Sequence, residues 1–332
     1  MDFKQLMYFE RVAELGSFTK ASDALGVAQP ALSRQVRALE VELHQTLLMR
    51  NGRGAVLTEA GELLLEHTRG ILYQVERAKQ AVSDVRGTLS GRVVLGMPPS
   101  VARSLAIPLL RAFKAELPHA QLRITEGLTR GMQAQLLDGV VDVALLYNAT
   151  PAQAPGIDAE LLCQEALVLV QATNKATNKA KLPSKTASQA DRFGNEASID
   201  LREIAHLPLL IPSRPNALRM QLEAELMKLG LAPRIALEVD GVSAILDLVA
   251  DGTGSAVLAR HAVTSSDKAR AYKVRAIHVA GRGAKPSGGA KPSLPLSVAV
   301  YLATSHNRPV TPTQQAAMVL LRTVVGQVLG RG

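Results

Sequence analysis

Between Phe18 and Leu43 the chain has few ways to fold. Phe18, Ala21, Ala24 and Leu25 recur at the spacing of one helix face, and Leu32, Val36, Leu39 and Leu43 do the same in steps of four, three and four. Only Gly26-Val27-Ala28 separates the two runs. The second opens on Gln29-Pro30, in a first turn whose N–H groups have no intrahelical partner, so proline removes nothing there. Two short helices on so short a turn bury their stripes by packing across each other, which is the helix-turn-helix arrangement. An earlier stripe of Phe3, Leu6, Phe9, Val12 and Ala13 predicts a supporting helix, broken at Gly16, with Ser17 placed to cap the next.

If Leu32, Val36, Leu39 and Leu43 face the core, then Gln29, Ser33, Arg34 and Arg37 point elsewhere. An amide, a hydroxyl and two guanidiniums are the groups that read base edges and clamp phosphates in a major groove. After Leu43, the run Leu47 to Arg50, then Asn51-Gly52-Arg53-Gly54, then Ala55 to Leu57 predicts strand, tight turn and strand. Arg50 and Arg53 lie at this hairpin, suited as a wing to phosphate or minor-groove contact. Net charge does not locate this domain. The chain carries +9, yet residues 1–58 hold seven basic against six acidic side chains, whereas 260–292 hold eight against one. Placement of charge on a helix face carries the argument.

Residues 59–89 predict one long helix with Thr58 as its N-cap. Leu64, Thr68, Ile71, Val75, Ala78, Val82, Val85 and Leu89 alternate steps of four and three, a 3.5-residue period suited to pairing with the same helix of a second chain. Residues 90–332 alternate strand and helix patterns, predicting a mostly parallel α/β sheet in two lobes. The predicted strands are 93–97, 121–125, 142–147, 207–211, 235–239, 255–258 and 296–302, and a final helix follows Thr311. Two segments interrupt the pattern: 173–198, with Thr-Asn-Lys-Ala in tandem, and 281–294, with Ala-Lys-Pro-Ser twice. Both read as solvated low-complexity loops.

Composition excludes several classes. Apolar residues at 47% and charged residues at 20% support a packed core, and 3% aromatics with no Trp make it aliphatic. The single cysteine, Cys163, excludes an intramolecular disulfide and a Cys-rich zinc module, and its apolar setting reads as inert. No apolar run approaches a membrane span, and the charged start Met1 to Gly16 has no secretory pattern, so a cytoplasmic protein without membrane contact is expected. The seven histidines lack ligand spacing, and no Walker loop, Gly-x-Ser-x-Gly or His-Glu-x-x-His occurs, so neither an enzyme nor a metal or other cofactor is expected. Gly252-x-Gly254 precedes a strand instead of following one, unlike a dinucleotide fingerprint.

Phe9, Gly16-Ser17-Phe18, Ala21, Ala24-Leu25, Gln29 to Gln35, Leu39-Glu40, Leu47-Leu48, Arg50 and Leu57 to Gly61 together resemble the signature of LysR-type transcriptional regulators. The later chain resembles that family in its order of parts. Met97-Pro98-Pro99-Ser100-Val101-Ala102-Arg103 resembles the opening of its effector domain, and the Pro-Pro-Ser form resembles the branch of nitrogen assimilation control regulators. Ala259 stands where the family commonly has proline, and the two basic insertions depart from its pattern. The resemblance implies an N-terminal all-α winged helix-turn-helix at 1–58 and a linker helix at 59–89. It implies a two-lobed, periplasmic-binding-protein-like α/β effector domain at 90–332, with one lobe of about 90–165 and 269–332 and another of about 166–268. It also implies that Gln29, Pro30, Ser33, Arg34, Arg37 and the wing at Arg50 and Arg53 face double-stranded DNA, and that the protein is a homotetramer.

Ligands of two-lobed α/β domains bind outside strand carboxyl ends, between the lobes. The expectation is a small organic anion, a carboxylate, met by Ser100 and Val101 at a helix start, by Thr129 and Ser213, and by the charges of Arg103 or Arg214. A regulator whose effector domain only oligomerises is the alternative. A solute-binding protein or an enzyme of α/β class fits less of the sequence.

Overall fold

A computed structural model describes residues 1–51, 54–84, 89–149, 155–173, 198–265, 271–279 and 294–330. Arg53, Val85 and nearly all of the two low-complexity segments lie outside the described residues.

The N-terminal unit has the expected elements: α1 (Phe3–Leu15), α2 (Phe18–Leu25), α3 (Gln29–Leu43), and a hairpin of β1 (Leu48–Asn51) and β2 (Gly54–Leu57). Asp2 caps α1 in a capping box with Gln5, and Ser17 caps α2 through the Lys20 N–H at 3.3 Å. Leu6, Phe9, Val12, Ala21, Leu32, Val36 and Leu39 form the core of the unit. One expectation for α2 needs correction. Ala24 is exposed, and Ser22 is buried in its stead, with its hydroxyl donating to the Thr19 carbonyl at 2.8 Å. That local bond lets a polar side chain occupy the packed face.

The hairpin is pinned to the helices by contacts that only glycine admits. The Ala55 N–H donates to the Gly16 carbonyl at 2.8 Å, and a Cβ on Gly54 would stand 2.3 Å from that oxygen. At Gly61 a Cβ would meet the Leu47 carbonyl at 2.1 Å, so the next helix can press against the hairpin base.

That helix, α4 (Glu59–Asp84), begins where Thr58 Oγ1 accepts from the Gly61 N–H at 3.0 Å. Its heptad pattern serves two directions. Leu65, Thr68, Leu72, Tyr73 and Arg77 are buried within the chain, while Ile71 and Val82 are 41% and 75% exposed. Thr68 therefore belongs to the intramolecular face and not to the outward stripe. Leu89 lies beyond the helix and packs on the α/β core.

The remaining elements alternate as β3 (Gly91–Met97), α5 (Pro99–Glu116), β4 (Ala120–Glu126), α6 (Thr129–Asp138), β5 (Val143–Tyr147) and β6 (Ile157–Ala172). Then come β7 (Ile199–Asp200), α7 (Leu201–Ile204), β8 (Leu209–Ile211), α8 (Ala217–Lys228), β9 (Ile235–Glu238), α9 (Val242–Asp251), β10 (Ser255–Ala259) and α10 (Arg260–Thr264). The last are β11 (Tyr272–Val279), β12 (Leu294–Pro295), β13 (Ser297–Ser305) and α11 (Pro312–Val328). The sheet order is β4-β3-β5-β13-β6-β10-β8-β9, with β11 also on β6.

The sheet is mixed, which corrects the expectation of a mostly parallel one. β3 runs parallel to β4 and β5, and β8 parallel to β9 and β10, but β6 is antiparallel to β10, β11 and β13. The strand β6 joins two halves: residues 157–166 pair with β13, and residues 167–172 with β10 and β11. β11, which a boundary near 269 assigns to the first lobe, pairs with the second half of β6. Helices α5 and α11 cover one side around Leu105, Leu109, Phe113, Leu321 and Val325, all nearly fully buried.

Candidate functional site

Two separate places carry polar groups in arrangements beyond what packing requires. The first is the outer face of α3. With Leu32, Val36 and Leu39 at 0 to 1% exposure, the helix cannot rotate, and Arg34 and Arg37 are fixed in solvent on its other side. Gln29 and Ser33 are half-buried beside them, and Pro30 is exposed. Arg50 lies on β1, in register with Ala55, so it shares the hairpin beside this face. The hairpin's position depends on Glu40. Its carboxylate accepts the Leu47 and Leu48 N–H groups at 2.8 and 3.1 Å, tying the end of α3 to the start of β1. Glu40 stood in the sequence signature without a role, because a helix-surface glutamate seven residues before a strand looks merely solvated.

The second place is a cavity of about 220 Å³ where the sheet halves meet. It brings together four of the six expected effector residues: Ser100, Thr129, Ser213 and Arg214. Its walls are otherwise largely apolar, including Pro98, Pro99, Leu128, Val242, Ile245 and Leu258. Val101 and Arg103 are not in the lining. Val101 is 1% exposed within the core, and its N–H donates to the Pro98 carbonyl at 3.0 Å, as does that of Ala102 at 2.9 Å. The N-terminus of α5 therefore offers fewer free donors than the sequence suggested. Arg103 reaches away to donate to Ser243 Oγ on α9 at 2.9 Å. Arg214 is exposed and paired with Glu223 at 2.8 Å.

Behind the cavity runs a buried hydrogen-bond chain that sequence patterns did not reveal, since its members lie far apart in the chain. Ser100 Oγ and Tyr147 Oη are 3.0 Å apart, and Tyr147 Oη donates to Glu165 Oε2 at 2.8 Å. Burial, and then the Glu165 carboxylate, push the Tyr147 hydroxyl well above its ordinary value, so it keeps its proton. His261 Nδ1 stands 3.6 Å from the other Glu165 oxygen. Cys163, half-buried on β6, is pushed up to about 11 by burial and then by Glu165, in keeping with an inert thiol.

A third polar cluster fastens α4 to the α/β body. The buried Asp142 carboxylate accepts from the Tyr73 hydroxyl, from the Val94 N–H at 2.8 Å and from Gln314 Nε2 at 2.7 Å. Arg77 stands 3.4 Å from it and donates to Gln314 Oε1 and the Pro309 carbonyl, both at 2.8 Å. Among the described residues there is no cluster of three or more metal-ligating side chains, and no helix is long and apolar enough to cross a membrane.

A winged helix-turn-helix carried by a long helix ahead of a cavity-bearing α/β domain defines a DNA-binding regulator of transcription. Residues 3–62 match the family model "Bacterial regulatory helix-turn-helix protein, lysR family", and residues 86–326 match "LysR substrate binding domain". The chain belongs to the LysR family of transcriptional regulators. It is 32% identical over 98% of its length to the nitrogen assimilation regulatory protein nac of Escherichia coli K12, 95% of which is covered. With the nac protein of Klebsiella aerogenes it shares 34% identity over 80% of each chain. Both matches support the branch resemblance read from Pro98-Pro99-Ser100. Among solved structures, full-length CbnR complexed with its target DNA superposes with a TM-score of 0.66 at 24% identity, covering 98% of this chain and 100% of that one. The families and relatives are regulators, not enzymes.

Proposed function

We propose that residues 1–58 read double-stranded DNA in the bacterial cytoplasm. Residues 59–89 pair two subunits, and a small organic anion held in residues 90–332 sets the regulatory state. Ser33 and Arg34 contact base edges. Gln29, Pro30 and Arg37 lie at bases or flanking phosphates, and Arg50 and Arg53 form the wing. The observation that carries this reading is the two-sided build of α3, whose buried leucines and valine leave its amide, hydroxyl and guanidinium face outward on a helix-turn-helix. The solved DNA complex of CbnR supports the same use of this fold.

The outward stripe of Ile71, Val75, Ala78 and Val82 on α4 meets its counterpart in a second subunit, and contacts between effector domains complete a homotetramer. The lobes are those of the sequence reading, about 90–165 with 269–332 and about 166–268, and β11 is paired to the part of β6 that falls in the second. Ser100, Thr129 and Ser213 line the effector cavity, and Arg214 at its mouth meets the carboxylate in exchange for Glu223. Val101 and Arg103 act behind the site, as core support and as a tie from α5 to α9. The effector shifts the regulator by binding the closed lobes more tightly than the open ones. Selection of random-sequence DNA by the purified protein is the test. Enrichment of a dyad-symmetric site, lost in Arg34→Ala, is expected, and no enrichment of any common site would refute the reading.

A further inference from the structure

We infer that the deep end of the effector cavity takes a hydrogen-bond donor, so that the effector is a hydroxy- or amino-substituted organic acid, with its donor on Ser100 and its carboxylate toward Arg214. This rests on the effector reading above and adds the chemistry of the far end.

The argument follows the protons. A carboxylate only accepts, so Glu165, at 2% exposure, takes the Tyr147 proton. Tyr147 has one proton, so in its contact with Ser100 it is the acceptor and Ser100 is the donor. The Ser100 hydroxyl therefore spends its proton on the protein and turns lone pairs to the cavity. Thr129 is in the same position, because its Oγ1 donates to the Tyr147 carbonyl at 3.2 Å. The hydroxyls of Ser100, Thr129 and Tyr147 thus present acceptors, the first and last oriented by the buried Glu165 carboxylate and Thr129 by the Tyr147 carbonyl. On the opposite side Asp240 is also an acceptor, already holding the Ser213 N–H at 2.9 Å. A carboxylate set against these three hydroxyls would meet their lone pairs. An –OH or –NH₃⁺ would complete the chain to Glu165. The lining also carries apolar Leu128, Val242, Ile245 and Leu258, which suit a short hydrocarbon body. Glu165 does not line the cavity; it is a positioning residue acting through Tyr147 and Ser100.

The test is calorimetry on the full-length protein with matched probes: butanoate, 4-hydroxybutanoate, 4-aminobutanoate and 4-methoxybutanoate, with the corresponding series built on benzoate. The hydroxy or amino member is expected to bind about tenfold tighter than its methoxy or unsubstituted counterpart, because a site built for a donor leaves acceptors unpaired when the donor is missing. In Glu165→Gln the amide can donate to Tyr147 and reverse the chain, so the preference should vanish or invert while some member still binds. Tyr147→Phe, which removes the relay and keeps the ring, should abolish the preference as well and serves if Glu165→Gln does not fold. Wild-type binding of acids with no preference for donors overturns this inference alone. A preference that survives in both variants also overturns it. Saturable binding by no probe overturns the effector reading, and this inference with it.

Discussion

Arg34 is held outward because Leu32, Val36 and Leu39 hold the other side of α3 inward, so its effect is expected to be on sequence choice and not on folding. Arg34→Ala should weaken binding to the selected site by about 1–3 kcal/mol while leaving affinity for unrelated DNA nearly unchanged, measured by competition footprinting. Arg53→Ala should weaken binding to all sequences evenly and lower the salt dependence of the affinity, as loss of a phosphate contact does. Glu40 acts at one remove. Its two charge-assisted bonds to Leu47 and Leu48 hold the wing to α3, and Glu40→Ala should cost about 1.5–3 kcal/mol per bond lost, less what water restores, read by thermal or urea unfolding. Nothing in the spacing of Glu40 announces this, because the bond depends on where the hairpin returns in space.

Among the elements, α4 serves two masters, and its sequence blends both periods. Leu65, Thr68 and Leu72 bury against its own chain, and Ile71 and Val82 stay exposed. Combining Ile71→Asp with Val75→Asp should therefore dissociate the paired subunits while leaving the helix-turn-helix folded, since neither side chain is in the buried core of that unit. Sedimentation at micromolar concentration reads the first effect and circular dichroism the second. The longer helices were legible because their stripes and caps are local: Thr311 forms a capping box with Gln314 at the start of α11, and Asn216 caps α8, whereas the short α7 and α10 carry too few residues to show a stripe. The strand β6 was not legible. Asp158, Glu160 and Glu165 interrupt its apolar residues, and only its two sets of partners make a strand of it. Missing it meant missing the antiparallel centre of the sheet. The cavity was half legible, because strand ends can be placed from sequence. The proton order of its wall could not be, since Ser100, Tyr147 and Glu165 meet only in the fold.

At the scale of the whole molecule, α4 joins the helix-turn-helix to the α/β body, where the buried cluster at Asp142 holds it. One carboxylate there is shared by Tyr73 on α4, Val94 on β3 and Gln314 on α11, with Arg77 beside it. Burial raises the Asp142 carboxyl above its ordinary value, outweighing the lowering by Tyr73, Val94 and Arg77. A group whose folded pKa lies above its unfolded one binds more protons in the folded state between the two, so stability falls as pH rises through that interval. Above the folded value the chain carries the full cost of an ionised buried group. Asp142→Asn keeps the shape and removes the titration. The melting temperature of the wild type relative to this variant should then be greatest near and below the ordinary carboxylate range and decline as pH rises toward neutrality. The opposite slope, with the wild type gaining on the variant as pH rises, would show that the partners win over burial. Asp142→Ala is a harsher change, leaving Arg77 without its buried counterion, and should cost about 3–5 kcal/mol. If this attachment passes effector closure on to the DNA-reading units, Asp142→Asn should also reduce the change in footprint that an effector produces, while leaving the effector's own affinity within about twofold by calorimetry, because the cavity lining does not include Asp142.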